Sequence, residues 1–261
     1  MFKEIIISIQ AYFKAHQFIK KHKLWKHILL PGLVYAILFI ISFFYFSKTA
    51  TGFIELITLK LGLKDWLQRM QSGFLGFIFT FSLMIVWLIQ MLLFISVFKY
   101  VFLIVGSPVF SYLSEKTEAI LQGKEFPFSF WQLIQDMFRG IRIAIRNAGW
   151  QIVYMFSIFI LAFIPLLGWL TPLLAILIEC YYYGFSMLDY SMERHKKTAT
   201  ESIYFISNHK GLAIGNGLVF YCLHLIPILG WLLAPAYAVI AATISLSETK
   251  IDEPTFPQSL Q

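Results

Sequence analysis

The strongest constraint on this chain is an interruption that occurs twice. Ile164-Pro165-Leu166-Leu167-Gly168-Trp169-Leu170 returns as Ile226-Pro227-Ile228-Leu229-Gly230-Trp231-Leu232, and a second proline, Pro172 or Pro235, comes after each copy. In both places a helix-breaking Pro and a permissive Gly divide two long apolar arms. A turn in water is normally polar. An apolar turn between apolar arms describes a helical hairpin whose bend lies in or near lipid, where irregular backbone survives only under a cover of protein or beside a water-filled cavity. The repeat therefore points to a membrane-embedded device rather than a simple anchor.

Composition agrees. The 261 residues are 59% hydrophobic and only 13% charged, which excludes an ordinary globular domain and leaves no length for a sizeable soluble one. The net charge of +7 reports membrane topology before it reports nucleic acid, and no nucleic-acid partner is expected. Cys180 and Cys222 both fall in apolar arms and read as two buried free thiols rather than a disulfide. The first 27 residues are amphipathic and lysine-rich, and they lack the compact apolar core and cleavage site of a secretory signal.

These features set the fold class: an all-α integral membrane protein with two long transmembrane helices and two Pro/Gly-tipped hairpins, preceded by an amphipathic N-terminal helix. Residues 1–250 read as one membrane-embedded domain and 251–261 as a disordered tail. Ile5, Ile9, Tyr12, Phe13 and Ile19 recur at helical spacing beside Lys14, Lys20, Lys21, Lys23 and Lys26, giving a helix that lies on the membrane surface. Spans are expected over 28–47 and 74–98, hairpins over 148–187 and 211–247. Gly106-Ser107-Pro108 is expected to end a helix, Glu115, Lys116 and Glu118 to be solvated, and Arg139, Arg142 and Arg146 to line one helix face. Lys and Arg gather in 1–27, 99–147 and 186–210, so the positive-inside bias puts both termini in the cytoplasm. An arm of about 16 residues covers about 24 Å of helix, short of a hydrocarbon core of about 30 Å, so the hairpins are expected to enter only partway.

Several stretches resemble a known family. Asp189-Tyr190 through Arg194-His195-Lys196, then Ile226-Pro227-Ile228-Leu229-Gly230 and Pro235 to Ala241-Ala242-Thr243, are similar to the CysZ family of sulfate permeases, which includes the etoposide-induced-protein domain. Gly106-Ser107-Pro108-Val109-Phe110 to Leu113-Ser114-Glu115-Lys116 resembles that family's segment after its second span. The resemblance implies a homo-oligomer in the bacterial inner membrane that takes up sulfate or a similar oxyanion for cysteine synthesis. It also implies an anion site: where family members carry Gly-Leu-Arg-Arg before the first span, this chain has Lys23-Leu24-Trp25-Lys26. Lys26 keeps the charge of the last Arg, but a Lys lacks the two-pronged grip of guanidinium.

The residues themselves leave alternatives open. The lysines at 20, 21, 23 and 26, with His22 and His27, suit capture of an oxyanion and equally suit contact with anionic headgroups. Glu179 inside the first hairpin lines an ion path, pairs with Lys99, or sits shallow and wet. Asn216 and His224, two turns apart in the second, serve a polar path or hydrogen bonds between helices. The bends at Pro165, Gly168, Pro227 and Gly230 either offer freed backbone groups to substrate or serve shape alone. Asp189, Arg194 and His195 read as a solvated linker with local salt bridges, since no nucleophile elbow, metalloprotease helix or carboxylate pair accompanies them. Neither enzyme activity, cofactor nor metal is expected, and nothing like a nucleotide-binding loop is present. The competing function is a non-transporting scaffold or membrane-shaping protein.

Overall fold

The computed structural model describes residues 1–60, 62, 74–123, 130–161, 170–194, 197–226 and 228–249. The regular elements among them are helices: α1 (Phe2–Lys21), α2 (Trp25–Lys60), α3 (Phe74–Gln122), α4 (Phe130–Leu161), α5 (Thr171–Arg194), α6 (Ala199–Asn208), α7 (Lys210–His224) and α8 (Leu229–Glu248). The tip of the first hairpin (Pro165, Gly168), Pro227, His195, Lys196 and the tail lie outside the described residues. Among those described, α2, α5 and α8 are long and apolar enough to cross a membrane. The protein is all-α, as its composition demands.

The chain divides into two compact units, Met1–Ala36 with Leu103–Gln261, and Ile37–Phe102. The smaller is a pair of helix segments joined through phenylalanines: Phe46 and Phe94 stack at 4.6 Å, and Phe39 meets Phe98 edge to face at 5.2 Å. Its Ile40, Phe44 and Tyr45 point outward, 60–69% exposed, as a lipid- or partner-facing wall would. Lys99 is buried, its ammonium 4.8 Å from the centre of the Tyr100 ring.

In the larger unit, α5 and α7 cross at backbone distance. A methyl group added at Gly184 would run into the Ala213 carbonyl and Gly217 nitrogen, and one at Gly217 into the Cys180 carbonyl. Cys180 and Gly184 on α5 thus face Ala213 and Gly217 on α7, two small-residue pairs each four apart, the pattern that lets membrane helices approach closely. The deepest side chains gather here: Tyr183 stacks on Phe220 at 3.6 Å, and Phe185, Met187, Leu188 and Leu212 are fully buried.

Helix α1 departs from the surface-lying expectation on one side. Ser8, Ala11, Ala15 and Ile19 are fully buried, and the helix packs on α7 and α8. The Ser8 hydroxyl donates to the Leu212 carbonyl at 2.9 Å, the Tyr12 hydroxyl to the Asn216 carbonyl at 2.9 Å, and Lys14 pairs with Glu248 at 2.5 Å. Its other face keeps an apolar stripe, Phe2, Ile6 and Phe13, that is 54–79% exposed.

Three local expectations are corrected. Gly106-Ser107-Pro108 does not end a helix: α3 runs through Pro108, and the Ser107 hydroxyl donates to the Ile104 carbonyl at 2.8 Å, the very acceptor a proline at 108 cannot reach. Glu118 is buried rather than solvated and accepts from the Gln122 amide at 2.7 Å. Cys222 is exposed, while Cys180 is buried, and they are not joined in a disulfide.

Candidate functional site: the turn before the first long helix

The turn between α1 and α2 is built by a specific cap. Leu24 N–H donates to the Ile19 carbonyl at 3.1 Å, a bond that reaches back five residues, and His22 N–H donates to Phe18 at 3.0 Å. Between them Lys23 adopts φ +52, the left-handed conformation. This is the Schellman arrangement, in which the residue after the cap is left-handed and the next is pinned by an apolar contact to the last turn. Leu24 and Ile19, buried to 2% and 0% exposure, are in the positions of that contact. Glycine is the residue this conformation favours. A glycine here, which the resemblance implies at the position of Lys23, would suit this backbone, and this chain fills the turn with a cation.

The turn also orients the first residues of α2. Leu24 is the buried anchor, while Lys23, Trp25 and Lys26 are exposed at the helix start, where unsatisfied N–H groups and the helix dipole favour negative charge. His27 stands between the charges of Lys26 and Lys116, and the Lys116 ammonium donates to its Nε2 at 2.7 Å. His27 also stacks on Tyr112 at 6.0 Å, and its buried Nδ1 has no hydrogen-bond partner among the described residues. Lys116, 89 residues beyond His27 and linked to it by no motif, joins the site through the return of α3. Of the six positions named in the lysine–histidine cluster, Lys26 stands beside His27, and Lys23 is exposed in the turn itself.

The polar residues of the hairpins are placed elsewhere, and each has at least one hydrogen-bond partner on another helix. The Glu179 carboxylate accepts from the Gln151 amide and, at 2.9 Å, from the Tyr221 hydroxyl, tying α4, α5 and α7 together. Asn216 is fully buried and donates to the Ala238 carbonyl at 2.9 Å, joining α7 to α8. His224 lies at the far end of α7 with the Tyr35 hydroxyl 3.4 Å from its Nε2, in a ring of Phe220 and Trp231. Asn216 and His224 do not converge.

At the second bend the N–H groups of Leu225, Ile226, Gly230 and Leu232 donate to the carbonyls of Tyr221, Leu223, Ile226 and Ile228, all within the hairpin. A methyl group at Gly230 would strike the Leu223 carbonyl. Ile228 caps α8 at φ +64 and ψ −62, a sterically costly conformation for a branched side chain. Leu225, Ile228 and Leu229 are 61–82% exposed, so the tip is apolar on its outside.

Asp189 is not solvated. It is 3% exposed, paired with Arg139 at 2.8 Å, and it also accepts from the Ser202 hydroxyl. The Ser114, Ser191 and Thr243 hydroxyls form a second buried knot, with contacts of 2.7 to 3.2 Å. Among the described residues no group of His, Cys, Asp and Glu could hold a metal.

The family described as Sulfate transporter CysZ/Etoposide-induced protein 2.4 matches residues 11–235. A protein named sulfate transporter CysZ from Pseudomonas syringae pv. tomato is 31% identical over 143 residues, which cover 54% of this chain and 56% of that one. One of the same name from Pseudomonas fluorescens is 28% identical over 57% of its length, so in both the match spans little more than half of the relative. Another, from Pseudomonas aeruginosa, is 24% identical over 83% of this chain and 85% of its own.

Proposed function

The chain belongs to the sulfate transporter CysZ/etoposide-induced protein 2.4 family, and from that footing we propose that it is a membrane permease for sulfate or a similar inorganic oxyanion. The observation that carries this reading is the α1–α2 turn, which holds Lys23 and Lys26 exposed at the positive end of a long apolar helix. A divalent oxyanion is attracted there by the ammonium groups as point charges and by the helix end. Lys116 and His27 extend the positive field.

The second bend acts through shape, since the N–H groups of Leu225, Ile226, Gly230 and Leu232 are already used inside the hairpin. Its arms differ: α7, with 15 residues, is about 22 Å long and shorter than the hydrocarbon core, while α8, with 20, is about 30 Å and matches it. This inequality favours a hairpin that enters the membrane obliquely or partway. The protein works in the bacterial inner membrane as a homo-oligomer, with its termini in the cytoplasm, and its cargo feeds sulfur assimilation.

The test is flux. Purified protein in liposomes should take up radiolabelled sulfate above the lipid-only rate, with unlabelled sulfate competing better than chloride. Lys23→Glu with Lys26→Glu should lower the initial rate by about tenfold, as expected when attraction becomes repulsion near a surface. Flux equal to that of protein-free liposomes would favour the scaffold reading, and flux untouched by the double charge reversal would remove the turn from the path.

A further inference from the structure

A cavity of about 460 Å³ opens among α4, α5, α6 and α7, away from the α1–α2 turn. It has two chemically different ends. At the end near the α6–α7 linker stand Arg146, Ser207 and Lys210; toward the hairpin tip the lining becomes Trp150, Leu174 and Leu177. The gradient runs along the helices, because Arg146 and Trp150 are one turn apart on α4, and α5 brings Leu174 and Leu177 in from the tip.

Both cations lack carboxylate partners among the described residues. The Arg146 guanidinium donates one hydrogen bond to the Asn147 side-chain oxygen at 3.0 Å and lies 5.9 Å from the centre of the Phe185 ring, neither of which offsets its charge. No Asp or Glu appears among the lining residues. Trp150, Leu174 and Leu177 are 38–49% exposed, so the apolar end is open to the outside of the bundle.

We propose that this cavity binds an anionic phospholipid from the surrounding leaflet, with its phosphate on Arg146 and Lys210 and an acyl chain along Leu174 and Leu177. The two cations match the phosphate's charge, and Arg offers it a two-pronged grip. The outward opening matches the direction from which a lipid arrives. A free inorganic oxyanion fills only the cationic end and leaves the apolar wall uncovered, which argues for the amphiphile. The site is separate from the α1–α2 turn, and its occupancy does not depend on whether sulfate crosses.

The full-length protein in detergent, titrated with phosphatidylglycerol and monitored by native mass spectrometry, tests this. Wild type should retain phosphatidylglycerol at least about tenfold better than phosphatidylcholine, and Lys210→Gln with Arg146→Gln should remove that preference. Lys210→Gln alone, an exposed position, guards against misfolding and should give an intermediate loss. Leu177→Gln should weaken lipid retention with both charges intact. Equal retention by wild type and the double variant overturns the proposal. Displacement of phosphatidylglycerol by millimolar sulfate also overturns it, in favour of a free-anion site, and a failed flux assay leaves all of these readouts intact.

Discussion

Lys23 shows how one residue can carry two demands at once. Its left-handed backbone favours glycine, while the proposed role favours a cation. Lys23→Gly should therefore raise stability by about 1 kcal/mol, since the left-handed region costs a residue with a Cβ about 1–2 kcal/mol. Lys23→Ala loses the same charge and keeps the strain, so the two variants should separate in thermal melts in detergent. If they melt together, the turn is not held as described. Asp189 shows the opposite case, in which a charged residue serves structure: truncation to Ala removes the buried acceptor to which both Arg139 and Ser202 donate and should cost about 1–3 kcal/mol. The charges of 189–197 look solvated in the sequence because the partner of Asp189, Arg139, lies in a helix far upstream, and no local spacing announces such a pairing. Pro108 misleads for a similar reason. A proline signals a break, and only the fold shows the neighbouring Ser107 hydroxyl taking the abandoned carbonyl.

At the scale of helices, the apolar stretches made the all-α class legible, because lipid imposes hydrophobicity directly on the sequence; the helix bounds were not, since α2 runs on to Lys60 and α3 to Gln122, past the spans expected over 28–47 and 74–98. The crossing of α5 over α7 was not legible, since Gly184 and Gly217 become meaningful only when set against each other. Gly217→Leu should force that crossing apart at a cost of at least about 2 kcal/mol. In a Cys222→Ser background, Cys180 is a reporter: buried under the crossing, it should resist maleimide in the parent protein and react in the Gly217→Leu variant. Unchanged protection would mean that the helices are not in backbone contact. Helix α6 carries a capping box, in which Glu201 accepts from Thr198 N–H at 2.6 Å and the Thr198 hydroxyl accepts from Glu201 N–H at 3.3 Å. The Thr198 N–H holds the Glu201 carboxyl below the usual range, ahead of smaller help from the Thr198 hydroxyl. A depressed value gives stability that is present above the ordinary Glu value and lost as pH falls through the folded one. Acid unfolding of the α6 region, read by hydrogen exchange, should thus be steeper in wild type than in Glu201→Gln, which keeps the box without the titration.

For the molecule as a whole, the deciding question is which end of the bundle each segment occupies. Glu4 accepts from Gly211 N–H at 3.1 Å and meets His209 Nδ1 at 2.9 Å, which sets the start of α1 beside the start of α7. Lys14 reaches Glu248 at the close of α8. The beginning of the chain, the α6–α7 junction and the end of α8 therefore share one end of the larger unit. These contacts join residues more than 200 positions apart, beyond any periodicity; the orientation we propose from where lysine and arginine gather places this shared end in the cytoplasm. Single cysteines at Lys3, Asn208 and Ser247, in a Cys180→Ala, Cys222→Ser background, should then all label with a membrane-impermeant maleimide in inside-out vesicles and stay silent in right-side-out ones. A cysteine at Lys60, the last residue of α2, should behave in the reverse way. Labelling of the first three from opposite sides would break the shared end, whereas uniform labelling from the outside would keep it and invert the orientation, turning the cationic turn at Lys23 and Lys26 from an exit for incoming sulfate into its entrance.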